Sequence, residues 1–285
     1  MKMNYKDGKI AKKIIELQNH DGTWGQSFHS LSQPNNRYPL TTEQALRRLK
    51  VLGFTINDAP IRKAVDCMTS CLCGERKIDN YWEKTHNWEL FIQLMLSTWV
   101  RIFEPDNEMA LKFSKRWSNI IDKAFESGNY NNEAYLEAYI CEFSSKPKGT
   151  RELDFSDFYH IHLLQDVLSE KTENQLLDFI IAKPSGIYYV YNKPLDKLPN
   201  ILASKEASWY LSAIEILSGY KLAKEKLNFV VDWLESNKDE NGQWDLGIKA
   251  NDNVYFPLSD SWKKNEYRKA DCTERIKTIL QKLNS

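Results

Sequence analysis

Five glycines recur along the chain at intervals of 52 to 58 residues, and each follows a stretch with helical periodicity. They are Gly22, Gly74, Gly128, Gly186 and Gly242. All except Gly74 stand two residues before an aromatic residue, a pattern typical of a left-handed helix stop that an aromatic ring covers. One interval accommodates two helices and two loops. Because such pairs bury their apolar faces only by stacking, the spacing predicts an all-α helical repeat.

The apolar residues indicate two kinds of helix. Segments 61–72, 110–124, 207–217 and 227–234 each carry one apolar stripe, whereas segment 88–103 is apolar on nearly every side. Their alternation along the chain predicts an outer and an inner helix layer. Helix starts are expected at Asp58, before Pro60, and at Glu104, before Pro105.

The loops are predicted to be unequal. Connections from an outer to an inner helix are long, at about 23–41, 75–86, 187–203 and 243–268. Connections from an inner to an outer helix are short, at about 54–57, near 104 and near 219–220. All long loops are therefore expected at one end of the molecule, where the inner helices begin.

A closed ring is the favoured arrangement of these units. The first helix, about 7–19, is of the outer type and the last, 270–283, is of the inner type, so the two complete a pair. This favours one α/α toroid domain over residues 1–285 rather than an open solenoid, which needs capping repeats. The third unit is irregular, with helices predicted at 131–144, 154–168 and 171–182. Five and six hairpins both remain open.

Composition narrows the function classes. Lys plus Arg and Asp plus Glu each number 39, so the chain lacks the basic excess of a general nucleic-acid binder. The five cysteines are odd in number and spaced unlike a disulfide framework. No run of residues is long and apolar enough to predict a membrane span. We expect a cytoplasmic protein.

One turn resembles the QW motif of squalene-hopene cyclases and related terpenoid cyclases. It is the segment 17–25, with Gln18 at a helix end and Gly22 and Trp24 in the turn. A second, degenerate copy ends at Gly242 and Trp244. The resemblance implies an α/α toroid, a fold shared with protein prenyltransferase β subunits, in which Gln18 ties outer helices together. The motif is structural and implies no particular reaction.

The catalytic motifs of these families are absent from the sequence. It has no Asp-x-Asp-Asp acid, no Asp-Asp-rich magnesium motif and no prenyltransferase zinc set, since no His follows Asp271-Cys272. Phosphate loops and nucleophile elbows are also absent. The sequence therefore predicts no cofactor, and whether the protein is an enzyme stays open.

Two apparent metal motifs are interpreted as packing. Cys67 and Cys71 share a helix face, but Cys73 does not, and no fourth ligand is near in sequence. His160 and His162 diverge if their segment is helical.

The long-loop end is the expected mouth of a site. Inner-helix N-termini that converge there create a positive potential, which suits an anion, and aromatic rings suit a hydrophobic ligand or a sugar. The same polar residues serve equally well as helix caps. The candidates fall into polar residues near inner-helix starts, aromatic residues of this end, and residues of the longest loop: Glu43, His86, Glu133 and Lys205; Trp82, Tyr188, Tyr191 and Trp209; Asp260, Trp262 and Asp271.

Three functions follow from this interpretation. The first is a toroid that binds an isoprenoid-like or other hydrophobic small molecule. This molecule is also anionic if the positive potential of the inner-helix N-termini contributes to binding. The second is a carbohydrate hydrolase or lyase with two carboxylates, or a Tyr and a His, in the mouth. The third is a non-catalytic toroid that binds a protein.

Overall fold

The structure is all-helical, as predicted. The computed structural model describes residues 4–29, 39–79, 84 and 86–284, and no β-strand occurs within these ranges. Short 3-10 helices lie at Tyr5–Asp7 and Ile248–Ala250. The α-helices are α1 (Lys9–Glu16), α2 (Thr42–Val51), α3 (Ala59–Leu72), α4 (Trp88–Phe103), α5 (Glu108–Ala124), α6 (Asn132–Phe143), α7 (Thr150–Leu153), α8 (Phe158–Leu163), α9 (Glu170–Ala182), α10 (Lys205–Leu217), α11 (Ala223–Lys226), α12 (Asn228–Ser236) and α13 (Asn265–Asn284).

The helix boundaries confirm the predicted alternation of loop lengths. Long connections precede α2, α4, α10 and α13, and short ones precede α3 and α5. Asp58 is the N-cap of α3, with Pro60 in its first turn. The start of α5 was predicted wrongly at Glu104. The helix begins at Glu108, because the side chain of Asn107 accepts the backbone N–H of Ala110 at 3.3 Å and supplies a better cap.

Helix α4 lies in the interior, as its all-round apolar sequence predicts. It packs against α3, α5 and α8. The side chains of Met95, Trp99 and Val100 are fully buried. A helix covered on so many sides provides a core on which the other helices are positioned. Among the described helices, none is both long and apolar enough to cross a bilayer.

The five repeated glycines all adopt positive φ, as a left-handed helix stop requires. Gly22 also permits a close approach between two helices, since a Cβ there would lie 2.4 Å from the carbonyl oxygen of Lys63 in α3. The turn after α1 is therefore pressed against α3.

The turn after α1 makes the contacts that its resemblance to the QW motif implies. Gln18 donates from Nε2 to the carbonyl oxygen of Pro60 at 2.8 Å and so ties the end of α1 to the first turn of α3. The indole Nε1 of Trp24 donates to the carbonyl oxygen of Ile14 at 2.8 Å. The two bonds join this turn to α3 and to the last turn of α1.

The degenerate copy after α12 repeats part of this geometry. Trp244 donates from Nε1 to the carbonyl oxygen of Leu234 at 2.7 Å, the same ten-residue separation as in the first copy. Its backbone N–H donates to Thr273 Oγ1 at 3.1 Å in α13. The backbone N–H of Trp24 donates likewise to Thr42 in α2, at 2.9 Å. The two turns therefore share the bonds of their tryptophans, whereas the glutamine of the first copy has no counterpart in the second.

The irregular third unit contains two extra helices, α6 and the short α7. Helices α6 and α9 match their predicted positions, but α8 is limited to Phe158–Leu163, shorter than the predicted 154–168. Helix α8 packs against α4 and α10, whereas α6 packs against α5. The interior helix of this unit is thus α8, and α6 is an addition beside α5.

The two ends of the chain meet. Helix α1 has Gly8 at its N-cap and no side-chain cap of its own. Asp260, from the loop before α13, accepts the backbone N–H of Lys9 at 3.2 Å. Nearby, Arg48 in α2 donates to the carbonyl oxygens of Val254 and Pro257 in the same loop. The last loop is therefore fixed to the first two helices.

Candidate functional site

Five helices that are distant in sequence line one cavity. Its volume is about 290 Å³, and its walls include residues of α2, α4, α8, α10 and α13, together with Tyr5 and the loop before α13. The residues contributed by α2, α4, α10 and α13 come mainly from the second halves of those helices. We call this space the central cavity.

Aromatic and aliphatic side chains form much of the cavity wall. Trp99 and Phe158 pack at 5.4 Å between ring centroids, and the guanidinium carbon of Arg47 lies 4.2 Å from the centroid of Phe158. Tyr255 covers another part of the wall and is stacked beneath Arg275 at 4.8 Å. Such a wall suits a hydrophobic ligand and holds the cation of Arg47 in place by cation–π attraction.

The charged groups of the cavity are mainly basic. The lining contains four cationic side chains and two carboxylates, listed here: Arg47, Lys50, Arg275 and Lys282; Glu215 and Glu274. The Arg275 guanidinium is already satisfied, because it donates to Glu215 at 2.9 Å and to the hydroxyls of Ser208 and Ser212. It therefore ties α13 to α10.

Lys50 is the cation of the cavity whose charge has the fewest hydrogen-bonding and ion-pair partners. Among the described residues, it makes no hydrogen bond and no ion pair within 4.0 Å, and its side chain is exposed to the cavity. Desolvation by the surrounding protein, followed by repulsion from Lys282, lowers the pKa of Lys50 to about 8. An anion placed beside Lys50 would relieve both the desolvation of its charge and that repulsion.

A buried network fixes Arg47 at the cavity wall. Arg47 donates to Glu43 at 3.2 Å, and Glu43 also receives the indole N–H of Trp99 at 3.3 Å and the hydroxyl of Tyr159 at 3.0 Å. His29 Nδ1 lies 2.9 Å from the same carboxylate. Burial raises the pKa of Glu43, but the hydrogen bond from His29 and the charge of Arg47 outweigh it and lower the pKa to about 2. Glu43 is therefore an ionised anchor in the interior.

His162 also faces the central cavity. Burial, then the positive charges of Lys50 and Arg47, hold its pKa well below the ordinary value, so its ring stays neutral at neutral pH. His160 points away, with its ring against Trp117 at 4.3 Å and its Nδ1 at 2.9 Å from Asp157. The predicted divergence of the two histidines is confirmed.

A second and more open space lies at the start of α10, where two long loops meet. Its volume is about 690 Å³, and we call it the long-loop groove. Three predicted site residues line it, namely Tyr191, Lys205 and Trp209. Tyr191 donates to Glu206 at 3.2 Å, and the Lys205 ammonium lies 4.9 Å from the Trp209 ring.

The predicted residues of the longest loop have structural roles. Asp271 is fully buried, and its Oδ2 accepts the backbone N–H groups of Leu258 and Ser259, each at 2.9 Å. Asp260 caps α1, and Trp262 is buried with its Nε1 donating to the carbonyl oxygen of Ile248. None of the three lines the central cavity or the groove, so the pair Asp260 and Asp271 is not placed to act on one ligand.

Three further predicted residues lie outside both spaces. Glu133 is exposed in the first turn of α6, so the expectation that it begins an interior helix was wrong. His86 is buried against Phe91, with ring centroids 4.7 Å apart. Tyr188 is half exposed, and its backbone pairs with residues 156 and 158. Trp82 lies outside the described residues.

The source of the positive potential differs from the prediction. We expected inner-helix N-termini to attract an anion at the long-loop end. The central cavity instead lies at the second halves of the helices, where the helix dipole carries partial negative charge. The positive charge of the cavity comes from side chains. Sequence reasoning missed Lys50 and Lys282. A lysine in the last turn of a helix commonly balances the negative end of the helix dipole, so its position does not distinguish a ligand-binding residue.

Metal-binding clusters are not found. Within the described ranges, no group of three or more His, Cys, Asp or Glu side chains is arranged to hold a metal ion. All five cysteines are free. Cys67 and Cys71 interact with each other on α3, while Cys73 is exposed.

Comparison with known proteins yields no relative. No family model, no curated protein and no solved structure matches this chain.

Proposed function

We propose that the chain is a closed α/α toroid of five helix hairpins and that its central cavity binds a hydrophobic small molecule with an acidic head group. The five outer helices are α1, α3, α5, α9 and α12, and each precedes the interior helix of its hairpin. The observation that carries the ligand proposal is Lys50, which makes no hydrogen bond or ion pair to the described residues and lies beside the aromatic wall of the central cavity.

Three observations support the ring. The interior helices α2, α4, α8, α10 and α13 line one space, although they span the whole chain. The loop before α13 is bonded to α1 and α2, so the last unit contacts the first. The turns after α1 and α12 make equivalent bonds, as repeats of one unit do.

The chemistry of the walls supports an amphiphilic acid. Trp99 and Phe158 offer apolar surface, and a ligand body that displaces water from it gains hydrophobic free energy. Lys50 and Lys282 offer two cations at one side of the same space, where reduced hydration strengthens attraction to an anion. A carboxylate and a phosphate both satisfy this arrangement. The proposal is one of binding and assigns no reaction.

Calorimetric titration with three ligands that share one hydrocarbon body tests the proposal. The probes are geranate, geranyl phosphate and the neutral alcohol geraniol. The wild-type protein is compared with Lys50→Met and with Lys277→Met, a matched control on exposed α13 surface that does not line the cavity. We expect one or both acids to bind, geraniol to bind at least about tenfold more weakly, and Lys50→Met to weaken the acids by about tenfold or more.

Other results separate the parts of the proposal. Equal binding of geraniol and geranate would refute the acidic head group. Equal losses in Lys50→Met and Lys277→Met would show a nonspecific charge effect. Tighter binding of the phosphate than of the carboxylate would identify the head group. If no probe binds, the proposed ligand class is wrong.

A further inference from the structure

The central cavity and the long-loop groove are neighbours that share part of their walls. Arg47 and Tyr255 line both spaces. Each of these side chains therefore has one face toward the cavity and another toward the groove. The partition between the spaces includes two side chains rather than an unbroken backbone wall.

The two side chains of this partition are held differently. Arg47 is anchored by Glu43 and stacks on Phe158. The backbone of the loop carrying Tyr255 is fixed, because Asp252 accepts the N–H groups of residues 254 to 256 and Arg48 binds two of the loop's carbonyls. The Tyr255 hydroxyl makes no hydrogen bond to the described residues. Turning its ring therefore breaks no such bond, although it gives up the stacking beneath Arg275 at 4.8 Å.

We infer that the cavity and the groove form one extended site, and that the ligand is a long-chain acid. This inference rests on the proposed function. The acidic head lies beside Lys50, the first part of the chain packs against Trp99 and Phe158, and the distal part passes Tyr255 into the groove.

The groove is suited to the end of such a chain. Trp209 is 42% exposed there and offers a large apolar surface to a ligand. Val190 lines the same groove, is partly exposed and provides further surface for an apolar tail. Covering these groups removes apolar surface from water and adds affinity that a short ligand does not gain.

A chain-length series tests this inference with the intact protein. Octanoate, dodecanoate and hexadecanoate are titrated below their micelle-forming concentrations into the wild type, Trp209→Ala and Val254→Trp, the last of which fills the groove. Ile201→Ala is the matched control, since Ile201 is a more exposed apolar residue that does not line the groove.

In the wild type, affinity is expected to rise through hexadecanoate, by up to about threefold to fourfold for each methylene that becomes buried. Trp209→Ala and Val254→Trp are expected to weaken hexadecanoate by about tenfold while changing octanoate by less than about twofold. Ile201→Ala is expected to leave both affinities unchanged.

Failure of the extended site can be distinguished from failure of the proposed function. If octanoate binds in a manner that requires Lys50 but affinity stops rising at dodecanoate and both groove variants match the wild type, the extended site is wrong and the cavity site stands. If no fatty acid binds, and geranate and geranyl phosphate also fail to bind, both the inference and the proposed function are wrong.

Discussion

The lowered pKa of Lys50 predicts a specific pH dependence of ligand binding. An acid such as geranate stays ionised from pH 6 to pH 10, so its own titration does not contribute. Lys50 has a pKa of about 8 in the free protein. About nine tenths of its side chains are charged at pH 7 and about one tenth at pH 9, so apparent affinity falls about tenfold between these values.

The sign follows from linkage. A bound anion favours the charged form of Lys50, so the pKa of Lys50 rises on binding and the complex takes up a proton. Affinity is therefore constant well below pH 8 and decreases above it, until the pH reaches the pKa in the complex. Calorimetry in buffers of different ionisation enthalpy measures the proton uptake directly, and circular dichroism verifies that the protein is folded at each pH.

Two variants test whether Lys50 causes the fall in affinity with rising pH. Lys50→Arg keeps its charge throughout this range, so its affinity should be nearly independent of pH. Lys50→Met should also be independent of pH, but weak at every value. If Lys50→Arg loses affinity between pH 7 and pH 9 as steeply as the wild type, another group controls binding, and the assignment of the anion to Lys50 is refuted.

Three further predictions concern stability, and chemical denaturation measures each. Gly22→Ala should lower the free energy of unfolding by about 2 to 4 kcal/mol, because the added Cβ meets the backbone of Lys63. Gly74→Ala, with positive φ but open surroundings, should lower it by only about 1 to 2 kcal/mol. Equal losses would contradict the close approach of the turn to α3. Trp24→Phe and Trp244→Phe should each cost about 1 to 3 kcal/mol, since each leaves a carbonyl without its indole donor, and a large loss in only one would argue against equivalent turns. The folded-state pKa of Glu43 is depressed from 4.5 to about 2, so ionised Glu43 contributes about 3 kcal/mol to the free energy of unfolding above pH 4.5, and this contribution is lost as pH falls toward 2. Glu43→Gln should flatten the dependence of stability on pH over this range. An unchanged slope would exclude Glu43 as the source of that dependence.

The helices and the lengths of their connections were largely predictable because their sequence signals are local. Positive φ at the repeated glycines, burial of α4 and the alternating loop lengths depend on residues close in sequence, and the structure confirms all three. The length of α8 was not predictable, because its apolar pattern continues beyond the point where the chain turns. The capping of α5 by Asn107 shows a related limit, since a proline two residues after the end of an inner helix also fits a turn.

The site was less predictable because it depends on contacts between distant elements. Tyr191, Lys205 and Trp209 do meet in one groove, as their position at the long-loop end predicts. Asp271 was indistinguishable in sequence from a functional carboxylate, and only its bonds to Leu258 and Ser259 reveal its role in holding a loop. Lys50 was overlooked for the opposite reason, because its position in a last turn is common among surface lysines.

The contact between Asp260 and Lys9 joins residues 251 positions apart and has a consequence for the order of folding. During synthesis the N-terminal helices emerge long before α13, which supplies Arg275 and Lys282 to the cavity. Contacts of such high sequence separation form late and slowly, since the intervening chain must first be ordered. The central cavity is therefore completed only after α13 has left the ribosome, and a chain truncated before α13 retains early helices without a finished cavity.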